Sequence, residues 1–364
     1  MAVMSLSLAA LLAGASVAAF LWTRGPASSD GLERAAPAPG ATHSGHTHVA
    51  PTTGPAAPAA SVGNPEVGPP VVTGITPHHM AVAPDGRFAY IADPAAGAVI
   101  RFDTASASAT ATIPIPEAPP QLVTFAPDGS RAYVSAYTDD FSVDVVATVD
   151  TRTDTEISAI PVGRGPYAVS TTPDGRLLYV PYYDQDFLDV LDTSSGTMVD
   201  RIPAAPCPHW VVFTRDGRFA YTTNHFSDVV TVLELPGNTV VTTIPVGHGP
   251  HSLEMSPDGT RIAVVNYISG DVSVIDPSSN SVVATVPGVG AAPQDLVFAP
   301  DGRHLYTANS NDGTVAVVDT ATGQVTARVA MGASPTSIAV LPDGSAALVT
   351  NFDDGTVRVL QTAG

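Results

Sequence analysis

The sequence predicts an all-β protein: a seven-bladed β-propeller of four-stranded antiparallel blades, with its ring closed by an N-terminal strand. Three observations predict it. An Asp-Gly turn recurs with its glycine at 86, 129, 175, 217, 259, 302 and 344, so seven units follow one another at intervals of 42 to 46 residues. Periods of this length belong to propellers and solenoids. Each unit reads as short strands rich in Val, Ile and Thr, punctuated by Gly, Pro, Asn and Asp, with no helical period of any length. The last unit stops one strand short, whereas "PPVVTGI" (69–75), ahead of the first unit, reads like a fourth strand. That strand therefore completes blade seven and removes the exposed sheet edges that invite aggregation.

The elements follow in order. Residues 4–22, "MSLSLAALLAGASVAAFLW", form a continuous apolar run with Arg24 behind it, long enough to span a bilayer or serve as a signal peptide core. Residues 1–24 thus read as a signal peptide or membrane anchor, and the protein as exported, extracellular or held at the cell surface. Residues 25–67 are dominated by Ala, Pro and Gly; such a tract cannot bury enough apolar surface to fold and reads as a disordered tether. Within it, His43, His46 and His48 form a small cluster able to hold a transition metal weakly. Residues 68–364 are the propeller. Unit five shows the pattern: "HSLEMS", the turn "PDGT", "RIAVVNY", then two further strands in "SGDVSVIDPSSNSVVATVPGV", joined by "DPSSN".

Composition narrows the function. The net charge is −19, and all fifteen basic residues are Arg. Such a chain repels phosphate backbones, which argues against nucleic-acid partners. The lack of Lys excludes Schiff-base chemistry and a P-loop lysine. A single Cys, Cys207, allows neither an intrachain disulfide nor a CxxC pair. Contact with a membrane is expected only through the N-terminal segment, and the propeller itself reads as a monomer.

The segments "YTTN" (221–224), "AVVN" (263–266), "YTAN" (306–309) and "LVTN" (348–351) end the second strand of four units. Each is followed by a strand such as "TVAVVDTATGQVTARVAMG", then a Pro and a further Asp-Gly turn. These features resemble the YVTN-type β-propeller repeat over residues 68–364. The resemblance implies a family that includes cell-surface proteins, ligand binders and the propellers of some redox enzymes. It also implies that the first strand of each blade lines the central channel and begins near one mouth.

Aligning the seven units separates scaffold from candidates. Asp recurs at the end of the third strand, as in Asp103, Asp192, Asp276 and Asp319, often before Ser or Thr, as expected of a side chain that caps its own turn. The slot after the Pro that opens the first strand reads His78, Gln121, Tyr167, His209, His251, Gln294 and Thr336. All seven can form hydrogen bonds, and with the implied geometry they make a polar ring at the channel mouth. His78, His209 and His251 are candidate ligands for copper or zinc, with His79 and His225 nearby. Cys207, His209 and Trp210 lie together in "CPHWVVF" (207–213), with Trp210 as the floor of a pocket or part of the core. Blades two and three depart from the Asn pattern and are rich in aromatics and acids. There Tyr137, Tyr182 and Asp184 offer a recognition face for a cationic or sugar-like ligand or for a protein.

Two classes of function follow. The first is a tethered, non-catalytic propeller that binds a protein or small ligand at its loop face and channel mouth, using Gln121, Tyr167, Trp210, Gln294, Tyr137, Tyr182 and Asp184. The second is a metal-dependent enzyme or a copper- or zinc-binding protein built on His78, His209 and His251, or a propeller of lactonase or lyase type. No nucleophile elbow, HExxH motif or assignable carboxylate pair chooses between them.

Overall fold

The structure is a computed structural model and describes residues 57–364; the apolar segment 1–24 and the histidines at 43, 46 and 48 lie outside the described residues. Seven antiparallel sheets make up the fold, six of them built from consecutive strands and the seventh from the last strands together with the N-terminal ones, and no helix occurs among the described residues. Blade four is typical: Pro208–Phe213, Phe219–Asn224, Val229–Glu234 and Thr239–Pro245, paired in that order.

Burial explains why these segments form these strands. The second strand of a blade has neighbours on both edges and both faces, so Phe88–Asp93 and His304–Asn309 are buried at every position. The fourth strand is the outer edge, and Gln324–Ala330 alternates between exposed and half-buried positions, the period of a half-solvated strand. The turn glycines that reveal the repeat adopt positive φ, for example +70° at Gly175, where a side chain would be strained.

Apolar side chains meet between blades rather than within one. Tyr90, Val99 and Ile113 of blade one pack on Val134, Ala147 and Val149 of blade two, and each of the other six blade junctions has its own such cluster. Each fully buried Val, Leu or Ile contributes roughly 1.5–3 kcal/mol, so the ring is held by seven similar cores.

Closure involves more of the N-terminus than the sequence suggested. Two segments, Ser61–Val67 and Val71–Val72, both pair with the final strand Thr356–Ala363 and together form the fourth strand of blade seven. The "PPVVTGI" stretch is thus only the second half of the closing strand, and ordered structure reaches into the tract read as a tether ending at 67. The reason is that Ser61 finds a polar seat on blade six. Its Oγ lies 2.7 Å from His304 Nδ1 and 2.8 Å from Asp301 Oδ1, and its backbone N–H donates to Asp301 Oδ2 at 2.7 Å.

The Asn that ends the second strand is scaffold. Asn224 and Asn309 are fully buried; the Nδ2 of Asn224 donates to the carbonyls of Thr222 and Val229, and that of Asn309 to the carbonyl of Val289. In blade three Tyr182 performs this task. It is fully buried, its hydroxyl donates to Asp189 Oδ2 at 2.7 Å, and it accepts from the backbone N–H of Gly163. The expectation that Tyr182 faces a ligand is therefore corrected: it replaces Asn in the framework.

Candidate functional site: the channel mouth

In blade four Pro208, which opens the first strand, pairs with Asn224, which ends the second. The loops that follow second strands and those that lead into first strands therefore share one face, the mouth face, and the Asp-Gly turns lie on the opposite one. Along the first strand, Leu253 and its equivalents point into the inter-blade cores, while the half-buried Thr124, Ser170 and Glu254 line the channel. The slot after Pro shares parity with the core positions. It escapes burial in a core because pairing shifts register there in five blades, between Pro120 and Leu122, Pro208 and Trp210, Pro250 and Leu253, Pro293 and Asp295, and Pro335 and Ser337. A β-bulge inserts one residue and re-aims its side chain. The polar ring is thus built by bulges.

The ring divides into two parts. On blades three to five, Tyr167, His209 and His251 come together. The centroids of Tyr167 and His209 are 3.8 Å apart, those of His209 and His251 4.3 Å, and Tyr167 Oη lies 3.5 Å from His251 Nε2. His225 joins them, with its centroid 5.0 Å from His209 and 5.6 Å from His251. Across the mouth, His78 Nδ1 lies 3.0 Å from the carbonyl of Gln121, and its ring meets the edge of Phe352. Thr336 donates to the carbonyl of His78 at 2.6 Å, and the Nε2 of Gln294 donates to Ser310. Gln121 and Gln294 are both half-buried members of the ring.

Burial depresses all of these imidazoles. His251 is lowered to about 3, chiefly by burial and next by His225; His209 is lowered well below the usual range by burial and then by its histidine neighbours. His225 and His78 are lowered for the same first reason, and Tyr167 is raised. At neutral pH the cluster is a set of uncharged rings with lone pairs. Both nitrogens of His209, which is 2% exposed, and Nδ1 of His251 have no hydrogen-bond partner.

Trp210 is half-buried inside the channel just below the mouth, with its ring edge toward His79 at 5.2 Å and its backbone bridged to Ala168. With Leu122 and Tyr167 it plugs the channel. Tyr137 stacks on Phe141, and burial pushes its hydroxyl up to about 12. Asp184 is exposed at the rim and paired with Arg164 at 3.3 Å. Cys207 is 2% exposed, with its thiol pushed up to about 12 by burial, so it is neither a nucleophile nor a partner for His209.

The three-histidine site for copper or zinc is corrected. Among the described residues no three His, Cys, Asp or Glu side chains are arranged to hold a metal ion together. His78 lies against Phe352 and the Gln121 carbonyl, whereas His209 and His251 pack against Tyr167 on other blades.

Sequence reasoning singled out the ring but, of the collar around it, only Tyr183, as part of the aromatic face of blade three. The residues just after each second strand, Tyr183, Phe226, Tyr267, Ile268 and Phe352, surround the histidines. Phe226 lies 5.2 Å from His225 and 5.7 Å from Tyr183, and Tyr267 lies 5.9 Å from His251. The signal was present in the alignment, one or two slots beyond the Asn position.

Comparison with known proteins places this geometry. The family model described as the cytochrome D1 heme domain matches residues 174–296 and 269–363, together just over half of the chain. The chain belongs to the cytochrome D1 heme domain family. The two matches overlap, as expected where one repeat resembles the next. What the YVTN-type resemblance implied for the fold holds, but the family model that matches is that of the heme domain. No curated protein matches the chain. Among solved structures, one titled Kuenenia stuttgartiensis hydrazine synthase superposes with a TM-score of 0.72 at 23% identity, covering 80% of this chain and 96% of that one. At that identity the likeness shows the fold alone.

Proposed function

We propose that this D1-family propeller is a ligand-binding module whose mouth would take an iron macrocycle of the heme class, with His225 as the residue that would hold its iron. One observation carries the reading. His225 is half-buried, and its Nδ1 lies 3.3 Å from the carbonyl of Pro250, so Nδ1 is the protonated nitrogen and Nε2 carries the lone pair. A carbonyl on one ring nitrogen fixes the tautomer and raises the basicity of the other, the usual arrangement for a metal-bound imidazole. The depressed basicity of His225 keeps it unprotonated and ready to ligate at neutral pH.

The surroundings fit the same group. Phe226, Tyr267 and Tyr183 present apolar faces beside His225, suited to the plane of a macrocycle. Trp210 and Tyr167 pack together with Leu122 beneath it. When bound, heme supplies a one-electron iron centre. The chain supplies the ligand, the dry wall and the orientation.

Titration of the purified protein with hemin tests this. The reading predicts a saturable Soret shift at one equivalent that is lost in His225→Ala and retained in His248→Ala, whose exposed imidazole is engaged by Asp228 at 2.8 Å. A shift that survives His225→Ala unchanged, or no shift in the wild type, overturns it.

A further inference from the structure

We infer that the mouth face is a docking surface for a cationic protein partner that presents an apolar patch ringed by Lys or Arg. The inference stands on the distribution of charge and apolar surface, independently of any heme.

The mouth-face loops hold an exposed apolar collar: Ile75 is 60% exposed, Phe226 63% and Ile268 69%. Isolated exposed hydrophobics need no explanation, but a group of them around one opening marks an interaction site. Around the collar the same loops carry exposed carboxylates, among them Glu117, Asp139, Asp140, Asp186, Asp353 and Asp354. Arg164 is the only arginine in these loops among the described residues, and Asp184 already neutralises it. Arg328, on the fourth strand of blade six, turns its guanidinium to the Gly288 carbonyl of one such loop, and the other described arginines lie on strands or at the opposite face, where Arg87, Arg152 and Arg261 pair with turn acids. The charge of −19 is therefore unevenly spread, and its negative pole surrounds the apolar collar.

Some of these acids also brace the loops. Asp354 accepts from Ala333 N–H at 2.6 Å, and Asp140 accepts from Thr138 and Ser142. Hydrogen bonds from Ser142 and Thr138 hold the Asp140 carboxyl below its usual range, so it stays charged. A carboxylate rim around an apolar centre has the polar-rim, apolar-core anatomy of protein interfaces. Its sign selects a basic partner and steers the encounter, whereas an acidic partner is repelled.

The test uses two fluorescein-labelled peptides, one alternating Lys and Trp and one alternating Glu and Trp, followed by anisotropy with the whole protein. The Lys-Trp peptide is expected to bind, more weakly as salt rises, and the Glu-Trp peptide not to bind. Three rim acids whose side chains make no hydrogen bond in the structure are neutralised together, as Asp139→Asn, Asp186→Asn and Asp353→Asn. Affinity is expected to fall about tenfold at low salt, from three exposed charges acting within a Debye length. A control neutralises three acids away from the mouth, as Glu66→Gln, Asp200→Asn and Glu234→Gln, and is expected to change affinity less than threefold. Phe226→Ser with Ile268→Ser is expected to weaken binding even at high salt. Equal losses from both triple variants would mean that only net charge matters, and would overturn the inference. So would binding that is indifferent to Phe226 and Ile268, or no binding at all.

Discussion

Glu254 offers a test of the channel's electrostatics. It lies on the first strand of blade five, Pro250–Met255, at a channel-facing position, and accepts a hydrogen bond from the backbone N–H of Phe298 at 2.6 Å. Desolvation pushes its carboxyl from the ordinary 4.5 up to about 8, opposed by that hydrogen bond and helped by Asp295. Between pH 4.5 and 8 the folded protein keeps a proton that the unfolded chain releases. The stability Glu254 contributes is therefore fully present below 4.5 and is lost as pH rises to about 8, at about 1.4 kcal/mol per pH unit. By pH 7 the loss is a little over about 3 kcal/mol on that slope. Glu254→Gln keeps an acceptor for Phe298 N–H and cannot ionise. Denaturant midpoints of both proteins from pH 4 to 9 are the assay. The variant should match the wild type near pH 4, exceed it increasingly from pH 5, and be about 3 kcal/mol more stable at pH 7. A difference that does not vary with pH, or a variant less stable at pH 7, would refute the placement of this carboxyl in a desolvated channel.

Three further outcomes follow from the packing. Asn309→Ala removes the donor to the Val289 carbonyl and Thr314 and the acceptor for Thr307, all inside the framework, and should cost about 2–3 kcal/mol by denaturant unfolding. Ser61→Ala breaks the seat of the closing strand on Asp301 and His304; a loss of about 1–2 kcal/mol is expected, with hydrogen exchange accelerated first in 61–67. Cys207 should fail to react with a thiol reagent in the native state at pH 8 and react fully in denaturant, because burial holds its thiol at about 12.

The fold was legible because seven imperfect copies of one unit average out local ambiguity: a turn glycine that recurs in all seven units and an Asp cap in five of them outvote any single propensity. Ring closure was half legible, since "PPVVTGI" carries a strand pattern, but Ser61–Val67 contains Gly63, Asn64 and Pro65 and looks like the tether before it. Only its contacts with Asp301 and His304, some 240 residues away, reveal it as a strand. The polar ring was found by alignment, but the bulges that aim it have no sequence signature apart from the preceding Pro. Tyr182 misled because a departure from the repeat reads as function, whereas here a phenol and Asp189 rebuild the missing Asn contacts. The pairing of His225 with the Pro250 carbonyl depends on a contact between neighbouring blades, which no spacing within one unit encodes.

The account rests most directly on His225. Absorption spectra of hemin-loaded wild type and His225→Ala, recorded with and without added imidazole, test it. The account predicts that the variant loses the nitrogen-ligated spectrum and that free imidazole restores it, by supplying the missing nitrogen in the space that the lost side chain leaves beside Phe226 and Tyr267. Identical spectra for wild type and variant, or a variant spectrum that imidazole leaves unchanged, would contradict it.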